Sequence, residues 1–219
     1  MPVFYPAFID VTDRRCLVVG GGPVATEKTE KLLLSGARIR LVSPTLTPEL
    51  EQLVEAGAVD GFHRREYRTG DLDDCFVVIA ATSDEAANRQ VWADAEERRM
   101  LANVVDVPEL CNFIVPSIMR HGELTVAVST GGASPVVARR VRQEVERTIG
   151  PEWGELVDML RATRGELKER YLDMPSRAQA VERLLDAGIV QRLAEGDRLG
   201  AAELLLECLE APLPAGVAT

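Results

Sequence analysis

The chain has 219 residues, with 25 Lys and Arg against 35 Asp and Glu, a formal net charge of −10 and 46% hydrophobic residues. That is enough apolar material for a folded core without metal or disulfide staples, and it excludes disordered and collagen-like classes. The acidic balance, with no run of Lys or Arg, leaves no footprint for phosphate-backbone binding, so nucleic acid is not an expected partner.

The start, Met1-Pro-Val-Phe-Tyr-Pro, has neither a basic nor an apolar leader region. No apolar run reaches the roughly 20 residues that cross a bilayer, so a soluble, cytoplasmic protein with no membrane partner is expected. Cys16, Cys75, Cys111 and Cys208 lie far apart without a CxxC pair and read as buried free thiols. From Arg14 onward, short apolar runs alternate with longer amphipathic stretches. The run 16–20 predicts a strand, 24–35 a helix stopped at Gly36, and 38–43 a second strand. A helix over 48–56 and a short strand over 61–65 follow. The near-continuous apolar run 76–82 is the pattern of a strand buried on both faces of a parallel sheet. Thr82-Ser-Asp offers capping chemistry for a helix over 85–97, and 101–106 is another buried strand. Strands alternating with helices in this way predict an α/β fold with a doubly wound, Rossmann-type parallel sheet.

After Pro108 the pattern changes. Runs 113–119 and 124–129, separated by Arg120-His-Gly-Glu, predict a hairpin rather than a crossover. Thr130-Gly-Gly-Ala-Ser-Pro opens a helix with Ser134 as N-cap and Pro135 at its first position, ending near Ile149. From Glu152 to Ala211 the sequence reads as packed amphipathic helices broken at Asp173-Met-Pro-Ser, Gly188 and Gly196, and residues 212–219 are expected to fray. The expected division is therefore a dinucleotide-binding domain over 1–112, a small strand-helix unit over 113–150 and a helical domain over 151–219. The middle unit is too small to bury both its faces alone, which predicts a homodimer joined through it.

Gly20-Gly-Gly22-Pro-Val-Ala25 fits GxGxxA between a predicted strand and a predicted helix. The first glycine permits the tight turn, the second lets the backbone approach a pyrophosphate, and Ala25 allows close helix packing. Free N–H groups at the helix start favour the phosphates. The acidic residue that usually follows the second strand to hold the ribose is missing; Leu41-Val-Ser43-Pro44-Thr45 stands there instead. Ser43 bonds a ribose hydroxyl or caps the next turn. Arg38 and Arg40 meet a 2′-phosphate or form the solvated face of the strand. A preference for NAD over NADP is thus not secured by charge.

These blocks, together with Ala80-Ala-Thr-Ser-Asp, Asn103-Val-Val-Asp, Phe113-Ile-Val-Pro-Ser and Val128-Ser-Thr-Gly-Gly-Ala-Ser-Pro, resemble the precorrin-2 dehydrogenase/sirohydrochlorin ferrochelatase family, which includes the N-terminal module of sirohaem synthases. The resemblance covers about residues 1 to 150. It implies an oxidoreductase of sirohaem biosynthesis in which NAD takes a hydride from the tetrapyrrole precorrin-2, and in some members insertion of ferrous iron in the same cavity. It places the essential aspartate on Asp106, nucleotide contacts on Gly20, Gly22, Pro23, Val24, Ser43 and Pro44 and near Thr82, and a homodimer interface at about 113–149. A serine phosphorylated in one branch falls on Thr130, beside Ser129.

A carboxylate just beyond a strand end is placed to act as general base, although from spacing alone Asp106 equally caps the turn before Pro108. The acetate and propionate groups of such a substrate need local positive charge, for which Arg120, Arg139 and Arg140 are the candidates, with His121 in the hairpin turn in reach of substrate or iron. His63 and His121 are far apart and form no metal cage. The alternatives are a bifunctional enzyme that also chelates iron, a non-catalytic NAD-sensing module, and an oxidoreductase of a small substrate. The last lacks a Tyr-x-x-x-Lys pair.

Overall fold

The most apolar runs of the sequence become the middle of a parallel sheet. A computed structural model describes residues 4–210, with side chains to residue 208. The chain divides after Val115 into two compact units. In the first, five parallel strands stand in the order β3-β2-β1-β4-β5: β1 is Arg15–Val19, β2 Arg38–Val42, β3 Gly61–His63, β4 Val77–Ala80 and β5 Leu101–Val104. Helices α1 (Pro23–Leu34), α2 (Pro48–Glu55) and α3 (Glu85–Glu97) supply three of the connections. Alternate residues of the central strand serve different cores: Leu17 and Val19 pack with Val78, Val91 and Ala102, whereas Cys16 and Val18 pack with Ala25, Ile39 and Leu50. Covering both faces is why these strands read as unbroken apolar runs. The order reverses at β1, whose neighbours are β2 on one side and β4 on the other, so the switch point lies beyond the carboxyl ends of β1 and β4.

The segment after β5 folds back along its open edge. Asn103 Nδ2 donates to the Phe113 carbonyl at 3.0 Å, Asn112 Nδ2 donates to the Met100 carbonyl at 2.7 Å, and Asn112 Oδ1 accepts from the Ala102 N–H at 2.8 Å. These bonds protect an edge that would otherwise expose unpaired backbone. They also explain why the expected strand over 113–119 begins only at Ser117: the Phe113 carbonyl is claimed by Asn103, and Pro116 has no N–H to give.

The second unit opens with an antiparallel pair, β6 (Ser117–His121) and β7 (Leu124–Val128), joined by Gly122 and Glu123. The loop is shorter than expected, and Arg120 and His121 are strand residues. Gly122 has φ +55°, which a two-residue hairpin loop requires at its first position. Helix α4 (Pro135–Thr148) packs on both strands, with Ser134 capping it through the Val137 N–H at 3.3 Å. Helices α5 (Pro151–Ala162), α6 (Arg164–Arg170), α7 (Met174–Asp186), α8 (Ile189–Ala194) and α9 (Arg198–Glu210) follow. Their core is Leu156, Leu167, Leu184, Ile189, Leu193 and Leu205. The breaks fall where expected at Asp173, Gly188 and Gly196, the two glycines at φ +83° and +81°. A further break, not expected from the sequence, falls at Thr163 between α5 and α6.

All four cysteines are free, but only Cys16 is fully buried. Burial, with Cys75 nearby, pushes its thiol up to about 11, which makes it unreactive near neutral pH. No helix among the described residues is long and apolar enough to cross a membrane. The frayed end expected over 212–219 lies outside the described residues.

Candidate functional site: a glycine cradle at the switch point

Three consecutive glycines carry the chain from β1 into α1, each under a different constraint. Gly20 has φ +122°, and a Cβ there would stand 2.2 Å from the Ala81 carbonyl oxygen. Gly21 is held under the loop after β2: its carbonyl accepts from the Thr47 N–H at 2.9 Å, and a Cβ would lie 1.9 Å from the Thr45 carbonyl oxygen. Gly22 is the opposite case, with no heavy atom within 4 Å of a Cβ position. It is also the N-cap of α1, with no side-chain cap, Pro23 in the first turn and no acidic residue there. The unbonded N–H groups of the first turn, those of Val24 and Ala25, therefore keep their partial positive charge. Ala25 is fully buried and draws the helix close to the sheet. An open glycine face in front of an uncapped helix start fits the pyrophosphate of a dinucleotide. Gly21 was not singled out from the sequence: GxGxxA leaves its position free, and only the fold places the β2 loop against it.

A cleft partly open to solvent continues from this cradle past the ends of β2 and β4. Gly20, Ser43, Pro44 and Thr82 line it, together with Arg65, Glu66, Tyr67 and Asp84. Ser43 is buried, and its hydroxyl donates to the Thr45 carbonyl at 2.7 Å, so it shapes the turn that borders the cleft. The Thr82 carbonyl accepts from Asn88 Nδ2 at 3.0 Å, and Asp84 caps α3 through the Ala86 and Ala87 N–H groups at 2.9 and 3.1 Å. Tyr67 donates to Asp94 Oδ2 at 2.8 Å, and burial together with that carboxylate keeps the phenol protonated.

Arg38 and Arg40 lie outside this lining. Arg38 is exposed and pairs with Asp60 at 2.6 Å. Arg40 donates to the Asp71 and Asp73 carbonyls at 2.9 and 3.0 Å, tying β2 to the turn before β4. The basic residue in the wall is Arg65, whose guanidinium makes two bonds to the buried carboxylate of Asp71, at 2.8 and 2.7 Å. Burial raises the Asp71 pKa, but Arg65 and the Arg68 N–H outweigh it and hold the carboxyl below its ordinary value of 3.8. A carboxyl lowered on folding stabilises the protein above its unfolded value, and that stability is lost as pH falls through the folded value. Asp71→Asn should therefore flatten the acid limb of the stability profile below about pH 4, measured by urea unfolding at pH steps from 7 to 3.

Asp106 stands beyond the end of β5 with φ +62° and an exposed side chain. The ladder to β4 continues into this end through the Val105 N–H and the Ala80 carbonyl, at 2.9 Å. Among the described residues its carboxylate has no hydrogen bond or ion pair, and the short helical turn Pro108–Leu110 has no side-chain cap. The capping role weighed from spacing thus has no bond behind it.

The remaining candidates belong to the second unit. Arg120 pairs with Thr125 across the hairpin and is exposed. His121 pairs with Leu124; its Nε2 is buried without a partner, and its carbonyl lies 2.3 Å from where a Gly154 Cβ would be. Arg139 and Arg140 are exposed in the first turns of α4, and Arg140 pairs with Glu144 at 3.1 Å, an exposed pair worth under ~1 kcal/mol. Thr130 Oγ1 donates to the Ser134 carbonyl at 3.0 Å and accepts from its N–H at 3.1 Å, which organises the loop before α4. The described residues contain no cluster of three His, Cys, Asp or Glu placed to hold a metal.

Residues 7–117 match the family model described as "Putative NAD(P)-binding", and residues 121–148 match the one described as "Sirohaem biosynthesis protein central". The siroheme synthase of Thioalkalivibrio sulfidiphilus is 42% identical over 210 residues, which are 96% of this chain and 43% of that protein. Siroheme synthase 1 of Serratia proteamaculans is 38% identical over 207 residues, 94% of this chain and 43% of that protein. The chain spans less than half the length of these curated relatives. The solved structure of "SirC, precorrin-2 dehydrogenase" superposes with a TM-score of 0.77 at 24% identity, covering 95% of this chain and 100% of the other, and so shares its fold.

Proposed function

We propose that this chain, which belongs to the family described as "Putative NAD(P)-binding" through residues 7–117 and is similar to siroheme synthases over nearly all of its length, oxidises precorrin-2 to sirohydrochlorin with NAD. The observation that carries this reading is the glycine cradle at the end of β1 on the same sheet edge as the end of β5, where Asp106 carries a carboxylate with no partner among the described residues. In a parallel sheet the ends of β1, β4 and β5 open on one side, so a dinucleotide on Gly20, Gly22, Pro23 and Val24 and a base at Asp106 serve a common edge.

When bound there, NAD would supply the hydride acceptor. The residues do the rest. The first turn of α1 receives the pyrophosphate, while Ser43, Pro44 and Thr82 border the adenosine end. Asp106 takes the proton that must leave with the hydride as two hydrogens are removed from the macrocycle. Arg120, Arg139 and Arg140 are the proposed contacts for the acidic periphery of the substrate, with His121 as a further proposed substrate contact. Anaerobic mixing with enzymatically prepared precorrin-2 and NAD tests the reading: sirohydrochlorin absorbance should grow with reduced NAD, and a trace no faster than the protein-free blank would sink it.

The unit over 113–150 is proposed to join two copies. Val136, Val137 and Val141 on α4 are 72%, 51% and 44% exposed, a stripe that a monomer leaves wet. Val137→Glu combined with Val141→Glu should halve the mass seen by light scattering at micromolar concentration. A wild-type mass at the monomer value of 23.9 kDa would overturn the dimer.

A further inference from the structure

The second strand lacks the acidic residue that normally reads the adenosine ribose, yet the wall next to its end is acidic. Ser43 donates its N–H to the His63 carbonyl at 3.2 Å, so the loop leaving β3 runs beside the end of β2. That loop places Glu66 on the cleft, exposed and with no ion pair or side-chain hydrogen bond among the described residues. The neighbouring Arg65 is the sole cation among the residues lining the cleft, and Asp71 holds its guanidinium with both oxygens. A third bond from Arg65 goes to the Glu66 carbonyl at 2.9 Å, which fixes the backbone that presents Glu66. Asp84, across the cleft, is a second acid.

We infer that Glu66 supplies the ribose-binding carboxylate missing from β2, and that Asp71 keeps Arg65 from answering a 2′-phosphate, so that the cleft selects NAD over NADP. This rests on the reading of the cleft as a nicotinamide dinucleotide site. The reasoning is electrostatic: a free carboxylate accepts the two ribose hydroxyls of NAD but repels a phosphate in their place, and a guanidinium already paired in a buried bidentate bond offers it little compensation.

The test is calorimetric titration of the full chain with NAD and with NADP, without substrate. Wild-type protein should bind NAD at least tenfold more tightly. Glu66→Gln, at an exposed position, should weaken NAD about tenfold, the scale of one charge-assisted hydrogen bond, and leave NADP as tight or tighter. Asp71→Asn, checked for folding by its thermal melt, should tighten NADP by freeing Arg65. If it unfolds, the Glu66 ratio decides alone. An unchanged NAD/NADP ratio in Glu66→Gln, or a wild type that prefers NADP, overturns the inference while the site stands. Binding of neither nucleotide overturns the inference and the dinucleotide reading together.

Discussion

Asp106→Asn should lower the rate of sirohydrochlorin formation by about 10²–10⁴-fold, the usual contribution of a positioned general base, while the Kd for NAD stays within about twofold of wild type. Asparagine is the right replacement because Asp106 sits at φ +62°, a region that Asn tolerates and Ala does not. Ala would add backbone strain of about 1–3 kcal/mol, mixing a fold defect with a chemical one. The carboxylate has no hydrogen bond or ion pair among the described residues, so its removal costs the fold little. Single-turnover absorbance with NAD in excess separates the chemical step from product release. An Asn variant within threefold of wild type would remove Asp106 from the chemistry and leave the oxidation in search of another base. A wild type that binds NAD but oxidises nothing would favour a sensing role.

The glycines give the second large effect, and the fold makes them separable. Gly20→Ala meets both a positive φ and a backbone oxygen at 2.2 Å. It should destabilise the protein by about 2–4 kcal/mol, from strain and overpacking together, and abolish NAD binding as a consequence. Gly22→Ala meets neither: its Cβ points into open space, and the fold should lose no more than about 1 kcal/mol for a poorer N-cap. The same Cβ occupies the ground over which a pyrophosphate would approach. NAD affinity should therefore fall by about 100-fold or more, because the phosphates lose the close contact with the helix N–H groups. Thermal melts and calorimetry on the two variants give the contrast. Gly22→Ala binding NAD as wild type would move the pyrophosphate away from this turn, and with it the whole placement of the cofactor.

The alternating α/β pattern was legible because a strand buried on both faces must be apolar at every position, as Cys16-Leu-Val-Val and Phe76-Val-Val-Ile-Ala-Ala are. The same holds for Gly20, whose conformation is local, and for the capped start of α4 at Ser134-Pro135. The hairpin was visible, but its bounds were not. The start at Ser117 is set by Asn103, whose amide holds the Phe113 carbonyl from ten residues away. The break at Thr163 was likewise not read from the sequence: Gly165, two residues on, lies inside α6 and does not stop it.

The sequence by itself determined the strand and helix order, the glycine turn and the position of Asp106 at a strand end, because each depends on backbone and burial preferences within a few residues. Only the tertiary structure decided which polar groups face the cleft. Arg40 and Arg65 are chemically alike, and composition alone cannot rank them. Pairing in three dimensions ties Arg40 to the Asp71 and Asp73 carbonyls, sets Arg65 against the buried Asp71 and leaves Glu66 without a side-chain partner among the described residues. Gly21 is constrained by a loop more than twenty residues further on. Such selections arise from packing between segments distant in the chain, and no local pattern carries them.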